Sequence, residues 1–441
     1  MEKFDAVIVG GGIAGMQAAL DLGDQGYKVL LLEKQASIGG TMIQLSKVFP
    51  TLDCASCITT PKMSAVSSHE NITLWTLAEP KKIEPNGDRF KVTVFQKARY
   101  VNEKDCTGCG ECEQACPVII YDDGYDESLG PTKAVGVPFA TAMPQKAVLH
   151  DDYCIFCGKC ARACPTDAID FTQRDKEIEV DAGTVILATG FLQTPTIKEE
   201  YGGGRFKNVI TGKQMDRILA PTSPFGGVYR PGDGKIPDSI AFVQCAGSRD
   251  KSIGVPYCSA VCCMYAIKQA TLLSAALPLA DITIYYMDIR TFGKGHEEFY
   301  EQAKAMGVNF VRGKVAKIKE KEDGNLIVRV ETFGEDGRIE EFEHDLVVLS
   351  LGLVPQWYPK GIVNVDIDET TKFIKLIKPM TDPTLTSMPG IFVAGTAGGP
   401  KDIVESIISG SAAAMKAAEW LNGKLRDAFF AKELDVKQVT N

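Results

Sequence analysis

Residues 5–33, DAVIVGGGIAGMQAALDLGDQGYKVLLLE, read as strand, glycine turn, helix and second strand. The apolar run before the glycines and the KVLLLE run after the helix are buried-strand patterns, and the segment between carries helical periodicity. Gly10, Gly12 and Gly15 stand at the GxGxxG spacing of a dinucleotide-binding turn. Gly10 permits the tight turn, Gly12 lets backbone approach a pyrophosphate, and Gly15 lets the helix lie on the strand. The helix then offers its free N–H groups and positive dipole end to the diphosphate. Glu33 ends the second strand, where an acid accepts ribose hydroxyls.

The rest of the composition is that of an ordinary globular chain. Of its 441 residues, 45% are hydrophobic and 24% charged, enough for two or three domains. The net charge of −9 argues against nucleic acid or an anionic membrane as partner. No apolar run reaches the ~18–20 residues of a membrane span, and the start shows no secretory pattern, so a cytoplasmic protein is expected. The 14 cysteines fall in groups with metal-ligand spacing, which in such a chain points to metal or redox chemistry.

The pattern along the chain divides into five stretches. Residues 1–100 and 173–237 read as parts of the dinucleotide-binding domain, with 101–172 as a small cysteine-rich insert. Residues 238–345 form a second α/β unit, and 346–441 return to the first domain, beginning with LVVLSLGLVP. The charged tail after about 425 reads as mobile.

Two later segments identify the dinucleotide as FAD. Gly183–Gly190, GTVILATG, resembles the crossover motif of two-dinucleotide flavoproteins, and Gly390–Thr396, GIFVAGT, resembles their second flavin motif. Thr396 stands where those proteins usually place an acid. Gly398–Asp402 then opens a helix whose positive end favours the anionic reduced flavin, with Lys401 as the side chain to add charge. The candidate cofactor residues are Gly10, Gly12, Ala14, Gly15, Glu33, Lys34, Gly40, Thr41, Thr189, Gly190, Gly395, Thr396, Lys401, Asp402 and Ile403, with Lys401 also the candidate catalytic residue. The expected fold is α/β: a two-dinucleotide-binding, thioredoxin-reductase-like flavoprotein with an inserted bacterial-type ferredoxin domain.

The insert carries the run CxxCxxCxxxCP twice, at Cys106–Pro117 and at Cys154–Pro165. This is the bacterial two-cluster ferredoxin pattern, in which the fourth cysteine ligates the other cluster. One 4Fe-4S cluster is therefore assigned to Cys106, Cys109, Cys112 and Cys164, and the second to Cys154, Cys157, Cys160 and Cys116.

In the second α/β unit the strand SIAFV leads into Gln244-Cys245-Ala-Gly-Ser-Arg249 instead of a glycine fingerprint. Four thiols, Cys245, Cys258, Cys262 and Cys263, stand where a pyrophosphate would sit, and a third 4Fe-4S cluster is inferred there. With these residues, GGTMIQLSKVFPTLDCASCITTPKM, YYMDIRTFGKGHEEFY and AGTAGGPKDI complete a resemblance to the heterodisulfide reductase A-type family. The resemblance implies a short form without the extra N-terminal domain and C-terminal ferredoxin module of longer members. It also implies an electron-transfer subunit of an anaerobic complex, with flavin-based bifurcation as its most specific form. Partners so implied are B/C-like subunits, a hydrogenase or formate dehydrogenase, ferredoxin, and a second copy in a homodimer. The other readings are a stand-alone NAD(P)H-dependent flavin oxidoreductase and a non-catalytic flavin and iron–sulfur wire.

Cys54 and Cys57 are left over. They read as half of a cluster site completed from elsewhere, as a redox dithiol, or as a remnant of the longer form. The four histidines form no constellation, and His344, in the acidic stretch EEFEHD, is expected to be solvated.

Overall fold

Parallel pairing of Glu2–Val9 with Val29–Glu33 on one side and Lys176–Leu187 on the other builds the centre of the first sheet. Ile72–Thr76 extends one edge, the antiparallel pair Ala78–Asn86 and Arg89–Gln96 extends the other, and Ile391–Val393 joins Lys176–Leu187. The computed structural model describes residues 1–121, 124–195, 197–334 and 337–423. The charged tail expected to be mobile after about 425 lies outside the described residues. Among the described residues the helices are α1 (Ile13–Gly23), α2 (Ala55–Ser68), α3 (Glu111–Ala115), α4 (Lys159–Ala163), α5 (Gly212–Leu219), α6 (Cys262–Ala276), α7 (His296–Ala305) and α8 (Ile403–Leu421). None is long and apolar enough to cross a membrane.

The core of the first unit follows from the alternation of its central strand. Ala6 and Ile8 face α1 and α8, while Val7 and Val9 pack against Phe90, Val92 and Val94. The two helices approach closely because α8 presents Gly410, Ala413, Ala414 and Ala417 to the sheet and α1.

The insert leaves the first sheet after Arg89–Gln96 and returns at Lys176–Leu187, and Gln96 is paired with Lys176. Its two halves are tied by Asn102 N–H donating to Ala168 O at 2.7 Å and Asp170 N–H to Tyr100 O at 2.9 Å. Its small core holds Val101, Ile120, Val135 and Leu149 with the cysteines among them. So little apolar surface calls for metal to hold the module together.

The second sheet runs Val209–Thr211, Leu346–Leu349, Ser239–Val243, Asp281–Tyr286, Asn309–Glu320, Leu326–Thr332, Ile339–His344. Two expected boundaries need correction. Val209–Thr211 and α5 fall in the stretch assigned to the first domain, yet the strand pairs with Leu346–Leu349 in the second sheet. Leu346–Leu349 itself, expected to begin the return, pairs in parallel with Ser239–Val243. A fully buried apolar run has no period that says which sheet owns it.

His344 is a third correction. It is not solvated but 5% exposed, with Ser239 Oγ 2.9 Å from Nδ1 and the Tyr285 hydroxyl 2.8 Å from Nε2. Strand alternation turns His344 inward with Phe342, both against Tyr285. Burial lowers its pKa from 6.5 to about 4, against a weaker opposing effect of Asp281. The unfolded chain therefore takes up this proton first as pH falls through the ordinary histidine range. Stability is lost from there down to the folded value, by about 2 kcal/mol between about pH 7.5 and about pH 5. Urea unfolding of the second unit should show this slope, and His344→Gln should flatten it. An unchanged slope in the variant would assign the titration to another group.

Candidate functional site

One cavity runs between the two sheets and the insert, with the glycine turn at one end. Gly10, Gly12, Ala14, Glu33, Lys34, Gly40 and Thr41 line it from the first β–α–β unit and the loop that follows. Thr189 and Gly190 line it from the crossover, and Gly395, Thr396, Lys401, Asp402 and Ile403 from the approach to α8. Gly15 alone of the expected set stands behind the wall. A Cβ there would lie 1.9 Å from Gly10 O, whereas a Cβ on Gly12 would meet nothing within 4 Å and would project into open space. Gly15 thus serves helix packing, and Gly12 leaves room of the kind a dinucleotide phosphate needs.

Glu33 is buried, and its carboxylate accepts from Gly11 N–H and Gln35 N–H, each at 2.8 Å. Burial raises its pKa while these two donors pull it down. The same carboxylate braces the turn and borders the cavity. Asp402 caps α8 reciprocally with Glu405, at 2.8 and 3.0 Å, so its carboxylate is engaged in the helix start. Beside it Lys401 lines the cavity, and burial lowers its pKa against the pull of Glu405.

Sequence reading missed the walls contributed by distant elements. The Gln356 amide, oriented with its oxygen 2.6 Å from Lys34 Nζ and its nitrogen 3.1 Å from Thr189 O, links the second strand to the crossover. From the second unit come Asp216, Val261, Tyr265 and Lys268. Lys268 and Asp216 are 1% and 3% exposed and paired with each other. Asp216 also accepts from Ser46 Oγ at 2.6 Å and Gln269 Nε2 at 2.7 Å. A lysine inside the apolar helix pattern AIKQATLL was the available signal, because a buried ammonium needs a partner. The insert supplies Phe139, Val148 and His150 to the wall. It is bonded to the first unit through Ile38 N–H to Met143 O at 3.0 Å, and to the second through Arg217 and Asp126 at 2.7 Å.

The cysteines of the insert sort into two quartets. Cys106, Cys109, Cys112 and Cys164 surround one small cavity, and Cys116, Cys154, Cys157 and Cys160 surround another. The crossed grouping expected from the sequence is thus the grouping the fold brings together. The second quartet lies close to the large cavity. In the two-stranded ribbon of Val135–Gly136 and Val148–Leu149, Val135 and Leu149 line the quartet's cavity while Gly136 and Val148 line the large one.

Cys245, Cys258, Cys262 and Cys263 form a third group at the start of α6. Burial, then Cys263, Cys245 and Cys258, push the Cys262 thiol well up, and burial pushes Cys263 up to about 11. Thiols this close resist ionising together, so all four become ligands only with a compensating cation. Cys245, Arg249 and Ala260 adopt left-handed backbone at φ +57°, +58° and +61°, strain of the kind found at functional sites. The Leu351 carbonyl accepts from both Cys262 Sγ at 3.4 Å and the Tyr265 hydroxyl at 2.9 Å, connecting the group to the cavity wall. Among the described residues no three His, Cys, Asp or Glu side chains converge as a single metal ion requires. A four-iron cluster asks instead for one thiolate at each corner, and each of these groups holds four cysteines. Cys54 and Cys57 are joined to each other as a disulfide at the start of α2.

Comparisons with known proteins agree with this geometry. The NAD(P)-binding Rossmann-like domain family matches residues 8–54, and the 4Fe-4S binding domain family matches 99–118 and 147–170. The chain is 45% identical over 424 residues to the A subunit of the H(2):CoB-CoM heterodisulfide,ferredoxin reductase of Methanothermobacter marburgensis, covering 94% of this chain and 63% of that protein. It is 48% identical over 414 residues to the iron-sulfur A subunit of the CoB–CoM heterodisulfide reductase of Methanocaldococcus jannaschii, covering 92% and 63%. The chain thus spans less than two thirds of the length of these relatives. Among solved structures, thioredoxin reductase from T. acidophilum aligns with a TM-score of 0.53 at 16% identity, over 97% of this chain and 100% of that one. This likeness carries the fold alone.

The two glycines separate binding from folding. Gly12→Val should yield folded protein with its iron and without flavin absorbance near 450 nm, roughly the usual flavin band. Gly15→Val should fail to give soluble protein. Full flavin content in Gly12→Val would remove the turn from the cofactor site.

Proposed function

Because the chain belongs to the heterodisulfide reductase A-type family over the stretch it shares with those relatives, we propose that it is the FAD- and 4Fe-4S-dependent electron-transfer subunit of a heterodisulfide-reductase-like complex. The observation that carries this reading is one cavity lined by the glycine turn, with the Cys116/Cys154/Cys157/Cys160 quartet behind one wall and the Cys262–Cys263 group behind another. FAD, when bound, supplies the exchange between electron pairs and single electrons, and the clusters carry single electrons.

The chain's own residues have distinct tasks in this scheme. Gly10 and Gly12 admit the diphosphate, Glu33 faces the ribose, and the start of α8 with Lys401 favours negative charge on the bound ring. Phe139, Val148 and Trp357 help close the cavity against water. The ribbon separates the Cys116/Cys154/Cys157/Cys160 site from the cavity by the thickness of one backbone layer. The third site borders the cavity from another wall, through α6, where Val261 and Tyr265 flank Cys262 and Cys263. Two iron–sulfur walls offer electrons two ways out, which supports flavin-based bifurcation as the finer form of the proposal. The exits would serve B/C-like subunits on one side and a hydrogenase, formate dehydrogenase or ferredoxin on the other.

The stand-alone NAD(P)H reading loses its site. The turn after Ser239–Val243 is filled by protein backbone, with Thr194 Oγ1 donating to Gly247 O at 2.6 Å and a Cβ on Gly352 falling 2.4 Å from that same oxygen.

Iron, acid-labile sulfide and FAD measured on anaerobically purified protein test the reading. About 12 iron per FAD is expected for three clusters, and about 8 would withdraw the third. Cys116→Ala should abolish the same EPR signal as Cys157→Ala, and Cys164→Ala the same as Cys109→Ala. Loss of matching signals by uncrossed pairs would overturn the ligand assignment. NADH and NADPH should leave the flavin band unbleached, and rapid bleaching by either would restore the reductase reading.

A further inference from the structure

Two buried polar side chains sit unbonded at the carboxyl ends of neighbouring strands in the second sheet. Gln244 is 7% exposed, and neither its amide nitrogen nor its amide oxygen has a hydrogen-bond partner. Ser350 is 0% exposed, and apart from a long approach to the Tyr265 hydroxyl its own hydroxyl has no partner at hydrogen-bond distance. Its polar neighbour is the Tyr265 hydroxyl, which donates to Leu351 O at 2.9 Å. Buried amides and hydroxyls are almost always bonded, so unpaired ones call for a missing partner.

Their placement says which partner. Val243 pairs with Leu349 in parallel register, and Ser350 N–H donates to Val243 O at 3.0 Å, so Gln244 stands beside Ser350. Two residues earlier on each strand, Phe242 and Val348 pack on the same core as Met264, Ala266 and Ile267 of α6. Alternation carries Gln244 and Ser350 to that same face, one step beyond the core. There α6 begins with Cys262 and Cys263, and Cys245 follows Gln244 directly. The carboxyl end of such a strand is where open α/β sheets bind ligands.

We propose that Gln244 is a positioning residue for the third iron–sulfur site: when the cluster is held by Cys245, Cys258, Cys262 and Cys263, the amide turns so that its Nε2–H group donates to a cluster sulfur, and the neighbouring Ser350 hydroxyl turns to donate to its Oε1 and fix that orientation. This uses all three unbonded atoms at once. The inference rests on the third-cluster reading. Hydrogen bonds to cluster sulfurs favour the reduced, more negative state and raise its potential. Ser350 acts on the cluster only through the amide.

The test is an EPR-monitored redox titration of the anaerobic holoprotein, following the signal that Cys258→Ala abolishes. Gln244→Leu keeps the side-chain volume and removes the donor. At a fixed ambient potential its reduced-to-oxidised ratio for that cluster should fall about tenfold, equal to ~59 mV for one electron. Ser350→Ala should move the same signal in the same direction by less, with the ferredoxin signals unmoved in both. Wild-type protein with about 8 iron per FAD would end the third-cluster reading and this inference with it. About 12 iron in wild type and both variants, with an unshifted third potential, would overturn the inference alone and leave the amide as the partner of a buried water. If Gln244→Leu loses the cluster, Ser350→Ala decides: a shifted potential supports the chain of donors, and an unshifted one overturns it.

Discussion

The bond from Ser46 to the buried Asp216–Lys268 pair joins the two α/β units. Neither charge reaches water, and each would cost several kcal/mol if left alone there. Together they satisfy one another, with Ser46 from the first unit and Gln269 completing the carboxylate's bonds. Ser46 stands in the loop after Gly40 and Thr41, Asp216 on α5 and Lys268 on α6. One carboxylate therefore ties the loop after the glycine turn to the helix whose first turn carries Cys262 and Cys263. The walls of the cavity are set by this contact and by the insert that closes over it.

The quartets impose a second constraint, which acts through charge. Cys112 is pushed up to about 11, first by burial and then by its neighbours, and burial pushes Cys262 well up too. A protein that gathers such thiols without metal accumulates protonated, weakly interacting sulfurs around a cavity. Metal binding and folding of the insert are then one process, since its hydrocarbon core is small and four of its cysteines lie within that core. The loop from Gln244 to Val261 is different. It hangs from a well-packed sheet and holds three strained residues, so its cost is met by the surrounding fold.

What could be read from the sequence was what is local. GxGxxG, the paired CxxCxxCxxxCP runs and the Cys245–Cys263 spacing lie within short segments, and each demands its residues at fixed offsets. The crossed cysteine grouping was legible because the ferredoxin pattern implies it. Sheet membership was not: Leu346–Leu349 is apolar on both faces, so nothing in it distinguishes the two sheets. His344 was misread because its neighbours Glu340, Glu341 and Glu343 face outward, while Tyr285, the residue that covers it, is far away in sequence. Asp216, Lys268 and Gln356 reach the cavity by tertiary contact alone.

The ribbon of Val135–Gly136 and Val148–Leu149 shares one backbone between two compartments. Its outer surroundings are turns, the kind of sequence in which natural variation in length is usually tolerated. Here it is not. Adding or removing one residue in either strand exchanges its inward and outward side chains. Val135 or Leu149 would then turn toward the large cavity, and Gly136 or Val148 toward the cysteines. The ribbon's length is thus held constant by two unrelated chemistries at once, and related chains should vary in length in the loops on either side of it instead.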